Sequence, residues 1–262
     1  MTDVDILLTD LTFPESPRWH DGRVLVSDWG AGTVHAVSAD GTATVVARGS
    51  AFPLCFDFLP DGRLLLVNGT TVEAHEPEGK TTTYADLGHL SPHAFNDITV
   101  DGRGNVFVNN IDFEYGSDPE PGFVAVVTAD GAVRKAADGL MFPNGMAVLG
   151  DVLVVAESYA GRLTSYDVAA DGSLTGARTW ADLGDDAPDG ICVDPDGRIW
   201  YASVPGRACT LVAEGGEVLR RVDFDRGAFS CALHDGVLYV ALNEFGEQER
   251  PAPTGRLVAV TL

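Results

Sequence analysis

The feature that most constrains this chain is a turn signal, usually Asp-Gly, that recurs six times and precedes an alternating apolar run each time. The turn glycines are Gly22, Gly62, Gly102, Gly150, Gly197 and Gly236. Consecutive glycines of this set are separated by 40, 40, 48, 47 and 39 residues. The runs that follow, such as VLVSD and LLLVN, are rich in the apolar residues that favour strands. The sequence therefore consists of six similar units built from strands.

In each unit the turn joins a short first strand to the apolar run, which is the second strand. Further apolar runs follow in most units, so that a unit has room for about four strands. No stretch of the chain has the 3.6-residue apolar spacing of a long helix. Four strands repeated every ~40–50 residues are typical of a β-propeller. A sandwich or a barrel is the alternative, but neither requires six matched units. We therefore predict an all-β, six-bladed β-propeller that forms a single domain over residues 1–262.

The two ends of the sequence are expected to meet in one blade. The last unit has apolar runs for three strands only, and the third of them is GRLVAVTL. The run VDILLTDL, which begins at Val4, precedes the first complete unit. We expect this N-terminal strand to complete the last blade, because pairing there closes the ring and removes an exposed strand edge.

Charge and cysteine usage narrow the class of partner. The chain has 39 Asp and Glu against 17 Lys and Arg, a net charge of −22, which argues against nucleic acid and an anionic membrane as partners. No apolar run approaches the ~18 residues needed to span a bilayer, and no signal-peptide pattern is visible. The four cysteines are far apart and are expected to be reduced thiols. We predict a cytoplasmic protein that acts on a small molecule.

The innermost strand of each propeller blade lines a central channel, and the repeat shows which residues point there. The equivalent positions are Glu15, Cys55, Asn96, Asn144, Asp189 and Ser230. Each of the four acids and amides is by itself more typical of a turn than of a ligand. Because all four occur at the same position of the repeat, together they indicate a set of ligands. Two converging carboxylates repel each other unless a cation lies between them. Oxygen ligands of this kind suit Ca²⁺, Mg²⁺ or Mn²⁺, whereas zinc usually brings His or Cys.

The segments around these positions resemble the SMP-30/gluconolactonase/luciferin-regenerating-enzyme family of six-bladed propellers. The resemblance is carried by PESPRW at Glu15, FNDITVDGRGNVF at Asn96, FPNGMAV at Asn144 and PDGICVD at Asp189. It implies that Glu15, Asn144 and Asp189 bind one divalent metal ion, calcium first, with magnesium, manganese or zinc as alternatives. It also implies that Asn96 binds substrate or joins the metal shell, and that Glu114 contacts substrate.

The resemblance implies metal-assisted hydrolysis of a carboxylic ester, most simply the opening of a lactone. Asp189 is expected to be the general base, with a role purely as a ligand as the alternative. A phosphotriesterase-like activity and a non-hydrolytic biosynthetic or ligand-binding propeller with the same metal site are the alternatives at the level of function. Metal-free carbon–carbon bond formation, as in the strictosidine-synthase-like propellers, is a third.

Two features bear on the substrate. Ala94 stands where family members that act on sugar lactones often have Arg, with His93 beside it as a predicted substrate-binding residue, and this disfavours a polyhydroxylated sugar lactone. Phenylalanines also recur one to three residues before the channel positions: Phe13, Phe52, Phe95, Phe142 and Phe229. Most are expected to pack between blades, and a minority to form an aromatic wall suited to a less polar substrate.

Other chemistries find little support in the sequence. No GxSxG motif of a serine hydrolase occurs, and the six histidines have no metal-ligand spacing. Asp28 and Glu157, at the ends of second strands, are expected to cap strands on the rim opposite the site.

Overall fold

The computed structural model describes residues 4–38, 41–76, 79–244 and 253–262. Within these residues there are 24 strands and no helix. The strands form six four-stranded antiparallel sheets, and each sheet corresponds to one repeat of the sequence. The predicted six-bladed β-propeller is therefore confirmed.

The strands follow one another in the order that the repeat predicts. The N-terminal strand is β1 (Val4–Leu11), and blade 1 is β2 (Pro14–His20), β3 (Arg23–Asp28), β4 (Thr33–Val37) and β5 (Ala43–Arg48). Blade 2 is β6 (Phe56–Phe58), β7 (Leu64–Asn68), β8 (Thr71–His75) and β9 (Thr81–Asp86). Blade 3 is β10 (Asp97–Val100), β11 (Val106–Asn110), β12 (Gly122–Val127) and β13 (Val133–Leu140).

The second half of the ring repeats this plan. Blade 4 is β14 (Pro143–Leu149), β15 (Val152–Glu157), β16 (Arg162–Val168) and β17 (Leu174–Asp182). Blade 5 is β18 (Pro188–Val193), β19 (Ile199–Ser203), β20 (Ala208–Val212) and β21 (Val218–Asp223). Blade 6 contains β22 (Gly227–His234), β23 (Val237–Asn243) and β24 (Gly255–Thr261).

The ring is closed by the N-terminal strand, as predicted. Strand β1 pairs antiparallel with β24 and becomes the outermost strand of blade 6, with Val4 opposite Val260 and Leu11 opposite Gly255. The innermost strands β2 and β22 also contact each other, so that blades 6 and 1 are neighbours. The two ends of the described chain are thus held in one sheet.

The Asp-Gly signals form the hairpins between first and second strands. In blade 1 both Asp21 and Gly22 have positive φ, 48° and 74°, and in blade 6 Asp235 and Gly236 have 46° and 75°. Two successive residues with positive φ make the type I′ turn, whose twist matches that of the flanking strands. These turns lie at the end of β2 and β22, which fixes the direction of the innermost strands.

The hydrophobic core lies between the blades. Six clusters of buried side chains are present among the described residues, and each joins two neighbouring blades. In the cluster between blades 3 and 4, for example, Phe107 and Leu140 pack with Met146 and Leu153. Because every blade is packed on both faces, the six inner strands are held at fixed positions around the channel.

Two further expectations concern the cysteines and the membrane. All four cysteines are free thiols. The Sγ atoms of Cys192 and Cys231 are 3.6 Å apart, which is a hydrogen-bond distance and not a disulfide. In the part of the chain that the structure describes, no helix has the length and hydrophobicity needed to cross a bilayer.

Candidate active site

A cavity of about 950 Å³ opens where the innermost strands begin. It is lined by all six residues that the sequence analysis named for the site, namely Glu15, Asn96, Asn144, Asp189, His93 and Glu114. Glu15, Asn144 and Asp189 lie near the start of β2, β14 and β18, and Asn96 immediately precedes β10. Blades 1, 3, 4 and 5 therefore each supply one oxygen-bearing side chain to the same cavity.

Close packing of the inner strands explains why glycine follows two of these residues. A Cβ atom on Gly145 would lie 2.6 Å from the backbone of Asp189 and Gly190. A Cβ atom on Gly190 would lie 2.6 Å from the Cα atom of Ser230. The Asn-Gly and Asp-Gly pairs are therefore not turns here: glycine lets β14, β18 and β22 approach one another around the channel. Ser230 fills this contact and does not line the cavity.

The two acids of the site are desolvated. Glu15 is 6% exposed, and burial raises its pKa well above the ordinary value, with the negative charge of Asp189 as the next cause. Burial likewise raises the pKa of Asp189 well above its ordinary value, with the charge of Asp97 adding to the effect. The one hydrogen bond to the Glu15 carboxylate found among the described residues comes from the backbone N–H of Ser16, at 2.9 Å.

The two amides are tied to each other and to the backbone. Asn96 Nδ2 donates to Asn144 Oδ1 and to the Pro143 carbonyl, both at 3.3 Å. Asn144 Nδ2 donates to Ser158 Oγ at 3.3 Å. Neighbouring blades 3 and 4 are thus linked at the cavity floor, which is the part of the lining formed by Glu15, Asn96, Asn144 and Asp189.

A second acidic pair lies below this floor and has its own cation. Arg18 places its guanidinium 3.7 Å from a carboxylate oxygen of Asp57 and 3.7 Å from one of Asp97. Arg18 Nη2 also donates to the Ile98 carbonyl at 3.1 Å. Burial raises the pKa of Asp97 to about 6 although the nearby guanidinium opposes the shift. For Arg18 itself burial lowers the pKa, but the two aspartates outweigh it and the net shift is upward.

The chemistry of the donor set fits a hard divalent cation. Glu15 and Asp189 are desolvated carboxylates whose raised pKa values show that the negative charge is poorly balanced, and Asn96 and Asn144 add neutral oxygen donors. Such oxygen sets suit calcium, magnesium or manganese. Within the described ranges no group of three or more His, Cys, Asp or Glu side chains is placed to hold a metal ion, so the candidate donor set consists of two carboxylates and two amides.

A ring of polar residues holds the segments that carry the site. The last residue of the second strand is polar in every blade: Asp28, Asn68, Asn110, Glu157, Ser203 and Asn243. Asp28 accepts hydrogen bonds from the backbone N–H groups of Thr12 and Phe13 at 2.9 and 2.8 Å, and Glu157 accepts one from Met141 at 2.8 Å. These buried acids satisfy backbone donors of the segments that lead into β2 and β14.

The expected location of Asp28 and Glu157 was wrong. Asp28 is opposite Pro14 in the β2–β3 pair, and Glu157 is opposite Pro143 in the β14–β15 pair. Both therefore lie on the rim of the cavity and not on the opposite one. The reason is the antiparallel pairing, which brings the end of each second strand beside the start of the first strand, where Glu15 is.

The phenylalanines also differ from expectation. Phe13, Phe52, Phe142 and Phe229 line the cavity, and of the five only Phe95 is confined to a core cluster, between blades 2 and 3. Cavity lining is thus the majority role. The position of these phenylalanines in the repeat could have predicted this role, because residues just before a channel position lie at the mouth of the channel.

Several residues of the site region escaped the sequence analysis. Asn109 donates from Nδ2 to the Asn144 carbonyl and accepts from the Asp97 N–H at 3.2 Å. Asn110 donates to the His93 carbonyl at 2.9 Å. The consecutive asparagines at the end of an apolar strand were a readable signal, because an amide buried there needs hydrogen-bond partners. Both are fully buried.

Three of the proteins that are similar to this chain are a pentonolactonase, a gluconolactonase and a calcium-binding protein. The pentonolactonase XacC of Haloferax volcanii is 25% identical over 230 residues, which are 85% of this chain and 77% of that protein. A gluconolactonase structure from Xanthomonas campestris superposes with a TM-score of 0.80 at 22% identity, over 99% of this chain and 89% of that one. A structure of regucalcin from Agrobacterium tumefaciens, described as a calcium-binding protein, gives 0.83 at 19% identity, over 99% and 95%.

At these identities the two structures show a shared fold, and the family is shown by the sequence. The profile of the family described as the SMP-30/gluconolactonase/LRE-like region matches residues 13–258, nearly the whole ring. The chain belongs to the SMP-30/gluconolactonase/LRE-like family.

Proposed function

We propose that the protein is a hydrolase that opens lactones, and that it depends on one divalent cation bound at the cavity floor. The observation that carries this proposal is the meeting of two desolvated carboxylates, Glu15 and Asp189, with Asn96 and Asn144 in one open cavity. The lactonase names of relatives support the reaction class. The calcium-binding description of the Agrobacterium protein supports calcium as the first ion to test.

Glu15, Asn144 and Asp189 would hold the cation, with Glu15 and Asp189 supplying the negative charge and Asn144 a neutral oxygen. When bound, a divalent cation supplies polarisation of the ester carbonyl and stabilises the negative charge that develops on its oxygen.

The side chains themselves orient substrate and move the proton. Asn96, 8% exposed and fixed by the Pro143 carbonyl, presents its amide to the substrate or to the attacking water. Asp189 would accept the proton of that water as it adds to the carbonyl carbon, because a carboxylate that binds the cation through one oxygen keeps its other oxygen available as a base. His93 and Glu114 also line the cavity, are more exposed than Glu15 and Asn96, and would contact the part of the substrate beyond the ester.

The test is hydrolysis of a panel of γ- and δ-lactones by protein stripped with a chelator, before and after addition of calcium, magnesium or manganese. We expect turnover to be abolished by stripping and restored by at least one of these ions. Equal turnover by the stripped protein would overturn the dependence on a cation. Cation binding with no hydrolysis of any lactone would overturn the lactonase and favour a non-hydrolytic propeller, and a phosphotriester added to the panel tests the remaining alternative.

A further inference from the structure

The mouth of the cavity has aromatic side chains on two sides. The first group, wall A, consists of Phe13, Trp29, Phe52 and Phe229 from blades 1, 2 and 6. Phe13 stacks on Trp29 with ring centroids 5.2 Å apart and planes 15° apart. Phe52 and Phe229 meet Phe13 edge-on at 5.4 and 4.9 Å. Wall A is therefore one continuous apolar surface.

The second group, wall B, consists of Phe113, Tyr115, Phe142 and Tyr159 from blades 3 and 4. Phe142 and Tyr159 have centroids 4.5 Å apart, and Phe113 and Tyr115 meet Phe142 at 5.9 and 6.3 Å. Among the described residues no ring contact joins wall A to wall B. Both walls line the same cavity as the carboxylates and amides of the floor, and the part of that cavity between the two aromatic surfaces is called the aromatic cleft.

In the described parts of the chain, the aromatic side chains that are largely exposed all belong to these walls. Phe52, Tyr115 and Tyr159 are 55%, 65% and 50% exposed, and the other exposed large apolar side chains of the described residues are aliphatic and lie on the outer strands β1, β5 and β21. Large aromatic rings exposed around a polar floor are the usual lining of a small-molecule site. The walls are therefore placed to cover apolar parts of a ligand whose reacting group is at the floor.

The backbone of wall B is strained at Phe142, which has φ of 57°. This left-handed region is unfavourable for a bulky residue. The conformation is held by hydrogen bonds from Ser158 N–H to the Phe142 carbonyl at 3.1 Å and from Tyr159 N–H to the Met141 carbonyl at 3.3 Å. Glycine would relieve the strain, yet the position carries a ring that faces the cavity. Strain of this kind is characteristic of functional sites.

The cavity volume of about 950 Å³ is near the upper end for small-molecule pockets, and a sugar lactone would fill only part of it. Hydroxyl groups directed at aromatic carbon atoms would lose hydrogen bonds to water without replacement. We propose that the substrate is a lactone or ester that carries an aromatic or similarly flat apolar substituent, which lies between wall A and wall B. This inference rests on the lactonase proposed above and sets the chain apart from the sugar-lactone activities for which its relatives are named.

The first experiment compares three δ-lactones with the calcium-supplied protein. These are 6-methyloxan-2-one, 6-phenyloxan-2-one and glucono-δ-lactone, of which the first two differ only in the substituent beside the ring oxygen. Covering a phenyl group with apolar surface is expected to favour the phenyl compound in kcat/KM by about tenfold or more over the methyl compound. A phenyl compound hydrolysed no better than the other two would overturn the inference.

Variants at wall B test whether the walls cause the preference. Tyr159→Ala and Phe142→Gly each remove a ring, and glycine also relieves the positive φ at position 142, so that backbone strain cannot explain a loss. We expect the phenyl-to-methyl ratio of kcat/KM to fall about three- to tenfold in each variant. The control is Tyr84→Ala on the outer strand β9, which is expected to leave the ratio unchanged. Equal losses on both lactones in the wall variants would overturn the inference.

A binding measurement separates this inference from the lactonase itself. The lactams 6-phenylpiperidin-2-one and 6-methylpiperidin-2-one resemble the two lactones but are far more resistant to hydrolysis, and calorimetric titration gives their affinities. Tighter binding of the phenyl lactam by about tenfold, with no hydrolysis of any lactone, would support the aromatic cleft and overturn the lactonase. Hydrolysis of lactones with equal affinity for the two lactams would leave the lactonase standing and overturn the aromatic cleft.

Discussion

Two pairs of acids, each with one buried and one half-buried member, lie in the same channel, and they differ in what balances their charge. Asp57 and Asp97 share the guanidinium of Arg18, which lies 3.7 Å from each of them. Glu15 and Asp189, at the cavity floor, have no basic side chain in an ion pair among the described residues. In the lower pair, where the acids have a structural role, the protein itself supplies the cation, which is the Arg18 guanidinium. The upper pair, open to the cavity, is the pair that would take its cation from solution.

The strongest test of this contrast removes one acid of the upper pair. Asp189→Asn is expected to lower lactone turnover by about 10³-fold or more, because it removes both a cation ligand and the base. The stripped variant is expected to be at least as stable as the stripped parent, since a desolvated negative charge is gone. Thermal unfolding and kcat/KM measure the two effects.

Asp185→Asn is the matched control for that variant, because it makes the same charge change on an exposed side chain four residues earlier that does not line the cavity. Its turnover is expected to stay within twofold of the parent. Turnover by Asp189→Asn at the level of this control would contradict the role given to Asp189.

The lower pair is tested by removing its internal cation. Arg18→Met leaves Asp57 and Asp97 buried without a counter-charge, and it is expected to lower the free energy of unfolding by about 3–5 kcal/mol. Denaturant titration measures the change. The control is Arg103→Met, whose ion pair with Asp151 is on the surface, and this substitution is expected to change the free energy of unfolding far less than Arg18→Met does. Equal effects of the two substitutions would show that the lower pair is not a buried ion cluster.

The packing that brings the upper pair together is tested at Gly190. A Cβ atom there would meet Ser230 and force β18 away from β22, so Gly190→Ala is expected to cost about 1–3 kcal/mol of stability and to weaken cation binding. Gly102→Ala is the control, because no atom lies within 4 Å of a Cβ built there and its φ is not positive. A Gly190 variant as stable as this control would show that the strands are not in close contact.

The pH dependence of stability gives the smallest effect. Burial raises the pKa values of Glu15, Asp189 and Asp97 in the folded chain, that of Asp97 to about 6. The folded state therefore binds more protons than the unfolded state near neutral pH, and stability of the stripped protein falls as pH rises from 5.5 to 8. We expect the loss of stability between pH 5.5 and 8 to be smaller in Glu15→Gln than in the parent, by about 1–2 kcal/mol.

Saturating calcium should reverse the pH trend in the parent, because the cation binds the deprotonated carboxylates and protons compete with it. Melting temperatures measured at pH 5.5, 7 and 8 with and without calcium give both slopes. A slope that is the same in the parent and in Glu15→Gln would show that the upper pair is not desolvated.

The fold was readable from the sequence because its signal is repeated. Six turn glycines at nearly equal spacing define the blades, and the run at Val4 identifies the strand that closes the ring. The phase of the same repeat placed Glu15, Asn96, Asn144 and Asp189 at one cavity, since equivalent positions of a propeller face one axis. The blades, the closing strand and the four residues at the cavity were therefore predictable from the repeated sequence pattern.

Features that depend on contacts between repeats were not readable in the same way. Arg18 is three residues after Glu15 in the motif PESPRW, but its pairing with Asp57 and Asp97 joins blades 1, 2 and 3 and has no local signature. The rim on which Asp28 lies follows from strand pairing, which reverses direction in each hairpin. The number of phenylalanines at the mouth depends on loop geometry, including the positive φ of Phe142.

Calorimetric titration of the chelator-stripped protein with calcium tests the central contrast most directly. We predict about one calcium ion bound per chain, binding that is lost in both Glu15→Gln and Asp189→Asn, and unchanged binding in Asp185→Asn. Absence of binding of calcium, magnesium and manganese by the parent, or equal binding by Asp189→Asn, would contradict the conclusion that the upper pair of acids takes its cation from solution.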